Sequence, residues 1–161
     1  MEIDDICRLP LSRITERNAV LFLWTTAPMR PNTQRIIENW GFNTETQTDL
    51  IWNKGSIGLG QNVRSQHEAL IMVKKGHFLT PKHFKPPSIF EEKRTDHSRK
   101  PAISYDIINR MFPEARKIEL FARWVYLGWT GVGNEAEPKP DLKTYTKIPK
   151  KRIQKFEVEV I

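Results

Sequence analysis

The chain has 161 residues, of which 39% are hydrophobic and 28% charged, and its formal net charge is +7. This length suits one core of ordinary size and is short for two, so we expect one soluble globular domain. The longest apolar run, Ala19 to Trp24, is too short to cross a bilayer, and the first residues are acidic where a signal peptide is basic. We therefore expect neither membrane insertion nor export, and predict a cytoplasmic protein whose compact size is typical of a bacterial or phage source.

The residues that most often bind structural metals are sparse. Cys7 is the only cysteine, so neither an intramolecular disulfide nor a cysteine-based metal site is expected. The four histidines lack the paired spacing of a helical metal site; they are His67, His77, His83 and His97. We predict that the protein has no structural metal.

The first half of the chain predicts short strands around one helix. The run from Ala19 to Trp24 is typical of a strand buried on both faces. Pro31 is expected to begin a helix that ends at Gly41, with Ile36, Ile37 and Trp40 on its apolar face. Two further strands are predicted, Asp49–Trp52 and Ala69–Val73. The glycine-rich segment between them, Lys54 to Asn62, is a candidate moving lid.

The second half continues this alternation. Lys75 to Ser88 is predicted to be loop, a helix is expected from Pro101 to near Pro113, and Lys117–Ala122 reads as a strand. Gly128 to Gly133 is predicted to form a tight loop. Strands that alternate with helices favour an α/β fold with a largely parallel sheet.

The end of the last predicted strand is the candidate ligand site, because ligands gather at the carboxyl ends of strands in open α/β sheets. Arg123 either pairs with a surface carboxylate or binds a ribose, carboxylate or phosphate. Strand alternation puts Glu119 on the face of Phe121 and Arg123. Glu119 is then an ion-pair partner of Arg123, an acceptor for a cofactor hydroxyl, or a partner of Lys100.

The order of these segments resembles the MT-A70-like adenine methyltransferases, which use S-adenosylmethionine to methylate the exocyclic amine of adenine in DNA or RNA. The resemblance covers Met1 to about Glu135. It rests on the following segments: Leu21-Phe22-Leu23-Trp24-Thr25-Thr26, Trp40-Gly41-Phe42, Ile51-Trp52-Asn53-Lys54, Gly58-Leu59-Gly60, His67-Glu68, Lys75-Gly76, His97-Ser98-Arg99-Lys100-Pro101, Ile118-Glu119-Leu120-Phe121-Ala122-Arg123 and Gly133-Asn134-Glu135.

The resemblance implies a Rossmann-like methyltransferase fold with permuted motif order, in which the cofactor-binding strand comes late in the chain. It implies that S-adenosylmethionine is bound by Lys100, Phe121, Arg123, Asn134 and Glu135. It also implies that Trp52 and Glu68 face the target adenine. Lys54, Arg64 and His67, with Gly58 and Gly60, are implied to lie in loops that close on the nucleic acid.

The acidic catalytic motif of the family, Asp-Pro-Pro-Trp, is absent. Lys85-Pro86-Pro87-Ser88 does not replace it, since an ammonium group cannot accept a hydrogen bond. No catalytic residue is therefore assigned. The segment from Met1 to Pro10 resembles one that follows the acidic motif inside family members. The chain is accordingly interpreted as a truncated enzyme or, alternatively, as an inactive subunit that binds nucleic acid or an active partner in a homo- or heterodimer.

A truncated chain would lack its first strand, which would leave the backbone groups of the cofactor-binding strand unpaired. On this ground the sequence predicts marginal stability or self-association. We divide the chain into a methyltransferase-like domain, residues 1–135, and a basic tail, residues 136–161. Residues 137–161 hold seven basic and four acidic residues, a net charge of +3. The tail is interpreted as an extra strand, a nucleic-acid arm or a solubilising segment.

Overall fold

The computed structural model describes residues 1–60, 62–77, 80–81, 84–94, 99–133, 137–138 and 157–160. In chain order its elements are helix α1 (Ile3–Cys7), strand β1 (Ala19–Thr25), helix α2 (Arg30–Asn39), strands β2 (Asn43–Asn53), β3 (His67–Lys75) and β4 (Ile89–Glu91), helix α3 (Ala102–Met111), and strands β5 (Arg116–Leu120), β6 (Trp124–Val125), β7 (Trp129–Val132), β8 (Glu137–Pro138) and β9 (Glu157–Val160). The fold is mixed α/β.

The main sheet has seven strands in the order β4-β2-β3-β1-β9-β5-β7, and β6 and β8 form a separate parallel pair. β3 runs antiparallel to both of its neighbours, β1 and β2, and these two ladders are the longest in the sheet. The other ladders of the main sheet are parallel. The prediction of a largely parallel sheet is therefore wrong for its centre, where β2 leads straight back through β3 without a crossover helix.

Strand β1 is buried on both faces, as its continuous apolar run predicts. On one face Val20 and Phe22 join a core that includes Ile108 of α3. On the other, Leu21 and Leu23 pack in a second core with Ile37 of α2. Helices therefore cover both sides of the sheet, and this layering leaves the strand ends as the place where ligands are reached.

Helix α2 confirms the predicted helix within a residue at its start. Ile36, Ile37 and Trp40 are all buried, and Gly41 takes a φ of +76°, which stops the helix at low cost because glycine has no Cβ. Helix α3 begins at Ala102, so Pro101 is its N-cap and not its first helical residue.

The predicted tight loop at Gly128 to Gly133 is wrong, because Trp129–Val132 form strand β7, which pairs parallel with β5. The indole of Trp129 packs edge-on against Tyr105 and donates a hydrogen bond to Asn109 Oδ1 at 3.1 Å. Pairing with β5 and anchoring on α3 thus outweigh the low strand propensity of glycine.

The expectation of an unpaired cofactor-binding strand is also corrected. β9 lies between β1 and β5 and pairs parallel with both. The boundary at residue 135 stays a prediction, although four residues beyond it belong to the main sheet. In the described part of the chain, no helix has the length and apolar character needed to span a membrane.

Candidate functional site

One edge of the main sheet collects most of the predicted site residues. β1, β2, β9 and β5 all end at this edge, and the antiparallel strand β3 begins there. Trp24 and Trp52 are near the ends of their strands, and Glu68 is the second residue of β3. This is the edge at which ligands are bound in open α/β sheets.

Glu68 is the centre of a charge cluster with Lys54 and Lys100. Lys100 Nζ lies 2.6 Å from Glu68 Oε2, and Lys54 Nζ lies 3.5 Å from Oε1. Burial alone would raise the pKa of Glu68, but the hydrogen bond and charge of Lys100, together with Lys54, outweigh burial and lower it. At neutral pH the cluster therefore holds an ionised carboxylate between two ammonium groups.

Two tryptophans lie beside this cluster. The ring centroids of Trp24 and Trp52 are 6.0 Å apart in an edge-to-face arrangement, and Lys100 Nζ lies 5.0 Å from the centroid of Trp24. Trp52 is only 2% exposed, whereas Trp24 is partly exposed. Trp24, which the sequence analysis assigned only to the end of a buried strand, is therefore the more accessible aromatic surface at this edge.

Glu92 positions the segment that carries Lys100. Its carboxylate accepts hydrogen bonds from the backbone N–H groups of Ala102 at 2.8 Å and Ile103 at 2.9 Å, at the N-terminus of α3. Its carbonyl oxygen accepts a hydrogen bond from Trp52 Nε1 at 2.7 Å. The sequence analysis gave Glu92 no role, because a cap ten residues before its helix leaves no local signal.

A cavity of about 560 Å³ opens beyond the end of β5. Residues from three parts of the chain line it: the N-terminal segment, the end of β5 with the turn after it, and the end of β7. The lining residues are Met1, Leu9, Pro10, Leu11, Arg13, Ile14, Leu120, Phe121, Ala122, Arg123, Val132 and Gly133. The wall formed by residues 9–14 was not predicted.

The turn after β5 has an unusual backbone. Phe121 takes a φ of +59°, a left-handed conformation that is rare for an aromatic residue, and 45% of it is exposed. Ala122 N–H donates to Val132 O at 3.0 Å, which closes the turn against β7. Gly133 comes so close that a Cβ there would lie 2.3 Å from Ala122 O. Strain of this kind concentrates at functional sites, where the surrounding structure maintains it.

Glu119 faces α3 and not the partners that strand alternation indicated. Tyr105 donates a hydrogen bond to Glu119 Oε1 at 2.8 Å, and the Tyr105 ring stacks on Tyr126 with centroids 3.6 Å apart. Burial raises the pKa of Glu119 to about 7, although the Tyr105 hydrogen bond opposes this. The interpretation of Glu119 as a partner of Lys100 is wrong, because Lys100 binds Glu68. Alternation fails beyond Leu120, where Phe121 turns the backbone out of the strand.

The cavity fits S-adenosylmethionine in size and in the groups that it presents. Its volume lies within the range of about 300–1,000 Å³ that is usual for small-molecule sites. Leu9, Ile14 and Phe121 offer apolar contact for an adenine ring. Arg13 and Arg123 bring guanidinium groups suited to a carboxylate or to ribose hydroxyls.

The predicted site residues thus fall into two groups and a remainder. Phe121 and Arg123 line the cavity, while Lys100, predicted to bind the cofactor, lies in the Glu68 cluster with Lys54 and Trp52 nearby. Arg64 is exposed on the segment before β3, and His67 is exposed as the first residue of β3. Asn134 and Glu135 lie outside the described residues. The described residues contain no group of three or more side chains able to hold a metal ion.

Comparison with known proteins places the chain in a family. The family model MT-A70 matches residues 1–135. Type II methyltransferase M.MunI from Mycoplasma sp is 35% identical over 136 residues, which cover 84% of this chain and 58% of that protein. A probable N(6)-adenosine-methyltransferase MT-A70-like from Oryza sativa subsp. japonica is 30% identical over 132 residues, which cover 74% of this chain and 18% of that protein. The MT-A70-like protein from Arabidopsis thaliana gives the same identity and coverage.

The chain therefore spans little more than half of the first of these relatives and under a fifth of the plant proteins. The residues that the family model matches include both the Glu68 cluster and the residues after β5 that line the cavity. On the extent of these matches, the chain belongs to the MT-A70 family of adenine-specific nucleic-acid methyltransferases.

Proposed function

We propose that this chain contributes the methyl-donor pocket and the adenine-recognition cluster for S-adenosylmethionine-dependent methylation of the adenine exocyclic amine in DNA or RNA. The main observation in support of the proposal is that two different sites lie at the same edge of the main sheet. One is the cavity lined by Phe121 and Arg123, and the other is the cluster of Glu68, Lys54 and Lys100 beside Trp24.

The cluster matches the chemistry of adenine. The exocyclic amine donates hydrogen bonds and the ring nitrogens accept them, so a carboxylate beside an ammonium group complements the edge of the base. Glu68 offers the acceptor and Lys100 the donor, 2.6 Å apart. Trp24 provides an aromatic face next to them, on which a base turned out of a duplex, or one in a single strand, can stack.

The cavity would hold the methyl donor, whose sulfonium carries a methyl group activated for transfer. The apolar wall formed by Leu9 and Ile14 excludes water from one side, and Phe121 contributes an aromatic face. Arg123 would orient the donor through its ribose or carboxylate. The proposal keeps Asn134 and Glu135 as cofactor-binding residues on the family resemblance alone.

The layout also supports a Rossmann-like methyltransferase fold with permuted motif order. Helices cover both faces of the sheet, and the strand beside the cavity, β5, comes after four of the other strands in the chain. The family names of the relatives support a catalytic protein over the inactive subunit. DNA or RNA as substrate, and a homo- or heterodimer as the assembly, belong to this proposal.

Calorimetric titration with S-adenosylmethionine tests the proposal. We expect the chain to bind, and Arg123→Ala to weaken binding about ten-fold, which corresponds to about 1.4 kcal/mol. Arg30→Ala serves as the matched control, since Arg30 lies on α2 in an exposed ion pair with Asp49. An intact chain that gives no heat of binding would rule out the donor pocket.

A further inference from the structure

The segment between β2 and β3 forms a short arm at the sheet edge that carries the Glu68 cluster. The arm comprises residues 54–66, of which 54–60 and 62–66 are described. Two backbone hydrogen bonds join its two sides: Lys54 N–H donates to Gln66 O at 2.8 Å, and Gly58 N–H donates to Ser65 O at 2.9 Å. Because Glu68 is the second residue of β3, the arm begins directly beside the proposed adenine site.

Two glycines keep the arm narrow. A Cβ at Gly58 would lie 2.6 Å from Ser65 O, and a Cβ at Gly60 would come closer still to Val63 O. A larger residue at either position would push the two sides of the arm apart, so glycine is needed for this close approach. The contacts fix the course of the backbone on both sides of Leu59.

Three apolar side chains of the arm are turned to solvent. Leu59 is 100% exposed, Val63 79% and Ile57 60%. A single exposed apolar residue is ordinary, whereas a group of them on one projection is typical of a surface that another molecule covers. The arm is therefore a contact surface, and its surroundings indicate what it contacts.

The charges around the arm favour a nucleic acid as this partner. Within residues 54–66 the sequence holds the cations Lys54 and Arg64 and no carboxylate. Arg64 is exposed, and exposed Lys93 lies near the start of the arm, beside Glu91. Basic side chains attract a phosphate backbone, and an apolar side chain among them is the pattern of proteins that insert a wedge between bases.

Leu59 lies within reach of the place from which a base is turned out. Its neighbour Gly58 is bonded to Ser65, which is three positions from Glu68, so the Cα atoms of Ser65 and Glu68 are at most about 11 Å apart. The major groove of a duplex is about 8.5 Å deep, so a base that reaches Glu68 leaves a vacant place at a comparable distance. An arm of this length spans that distance.

We propose that Leu59 enters the base stack of a duplex and fills the place that the target adenine leaves when it turns toward Trp24 and Glu68, with Ile57 and Val63 against the adjoining nucleotides. The inference rests on the proposed function and specifies a base-paired substrate. An apolar side chain in the vacated place restores part of the lost stacking contact, which raises the population of the open duplex. A single strand has no such place, so Leu59 matters only for the duplex.

A duplex and a single strand of the same sequence test this inference. The duplex carries one adenine–adenine mismatch, because a mismatched base is turned out more readily than a paired one. A 2-aminopurine beside the mismatch reports insertion, since its fluorescence rises when its neighbours unstack. Probes of DNA and of RNA are prepared, and the kind that the unaltered chain binds more tightly is used for the variants.

We expect Leu59→Ala to weaken binding of the duplex about ten-fold and to remove most of the fluorescence rise, while binding of the single strand changes less than about two-fold. Leu59→Met keeps a long apolar side chain and should keep duplex affinity within about two-fold. Leu127→Ala is the matched control, because Leu127 is 66% exposed in the turn between β6 and β7, away from the arm. It should change neither affinity.

The other outcomes overturn the inference. An equal loss of affinity for duplex and single strand would make the arm a general contact surface and not a wedge. If Leu59→Ala leaves both affinities unchanged but dissociates a dimer in sedimentation, the arm contacts a second copy of the chain. Unchanged affinities without such dissociation also overturn it, while the proposed function stands. A chain that binds neither probe fails the proposed function, and the inference with it.

Discussion

Single residues at the sheet edge have different partners from those that their positions in the sequence indicate. Lys100 and Glu68 are 32 positions apart and meet at 2.6 Å, while Glu119, four positions from Arg123, accepts a hydrogen bond from Tyr105. The geometry of the fold determines which partner a long side chain reaches, and spacing along the chain does not reveal that geometry. The sequence indicated which charged residues are suited to a site, but not which residue each of them contacts.

Glu68→Gln should separate base recognition from donor binding. The neutral amide no longer balances the positive charges of Lys54 and Lys100. Its NH2 group is also a hydrogen-bond donor where the adenine amine needs an acceptor. We expect binding of an adenine-containing oligonucleotide to weaken about ten-fold, with the Kd for S-adenosylmethionine changed less than about two-fold. Both are measured by calorimetry, with exposed Glu91→Gln as the control. An equal loss in both affinities would contradict the division into two sites.

Glu119→Gln should change how stability depends on pH. The folded-state pKa of Glu119 is about 7 and its ordinary value is 4.5, so between these values the unfolded chain loses a proton that the folded chain keeps. Stability therefore falls as pH rises through this window, by up to about 3 kcal/mol. Burial lowers the pKa of Lys117 to about 8, so Lys117 changes its charge above this pH window.

We expect Glu119→Gln to reduce the dependence of the free energy of unfolding on pH, as measured by urea unfolding at pH 5, 6 and 7. The exposed Glu114→Gln should keep it. A variant with the slope of the unaltered chain would show that Glu119 ionises normally in the folded protein.

At the scale of elements, the sequence predicted whether a segment is a helix or a strand better than it predicted which other elements that segment contacts. The apolar run of β1 and the one-face spacing of α2 are local patterns, and both elements confirm the prediction. β7 was missed because Gly131 within it, and Gly128 and Gly133 on either side, are poor strand formers. Only pairing with β5 and the contact of Trp129 with α3 make it a strand. Elements that depend on distant neighbours are those that local patterns do not predict.

Gly133→Ala tests the close approach of β7 to the turn after β5. A Cβ at Gly133 would lie 2.3 Å from Ala122 O and 2.7 Å from Ala122 N, and backbone atoms cannot move aside without opening the turn. We expect a loss of about 2 kcal/mol or more in the free energy of unfolding, together with weaker S-adenosylmethionine binding. Chemical denaturation and calorimetry measure the two effects.

Gly41→Ala is the matched control for this substitution. Gly41 has a φ of +76°, but a Cβ added there would meet no atom within 4 Å, so only backbone strain of about 1 kcal/mol is expected and donor binding should not change. If both alanine variants lose the same stability and keep donor affinity, the close contact at Gly133 has no role in the cavity.

For the whole molecule, β9 changes the expectation of marginal stability. With β9 in place, β5 has strand partners on both sides, so the full chain should unfold in a transition that does not depend on protein concentration. Deletion of residues 157–161 opens the edges of β1 and β5 together. We expect a loss on the order of 5 kcal/mol and a transition that shifts with concentration as exposed edges pair between chains.

Thermal unfolding at several concentrations, with sedimentation to follow association, checks this prediction. A deleted chain that stays monomeric with an unchanged midpoint would show that β9 contributes nothing to the sheet.

The sequence by itself determined the family, the α/β class, the buried strand β1 and the residue types at the strand ends, because these depend on local patterns and on the order of short motifs. Tertiary structure alone decided which of those residues meet: Glu68 with Lys54 and Lys100, Glu92 with the N-terminus of α3, and residues 9–14 with the end of β5. It also decided that β9 lies between β1 and β5. The reason is physical: backbone hydrogen-bonding groups and apolar faces must find partners, and those partners come from any part of the chain that the fold brings within reach.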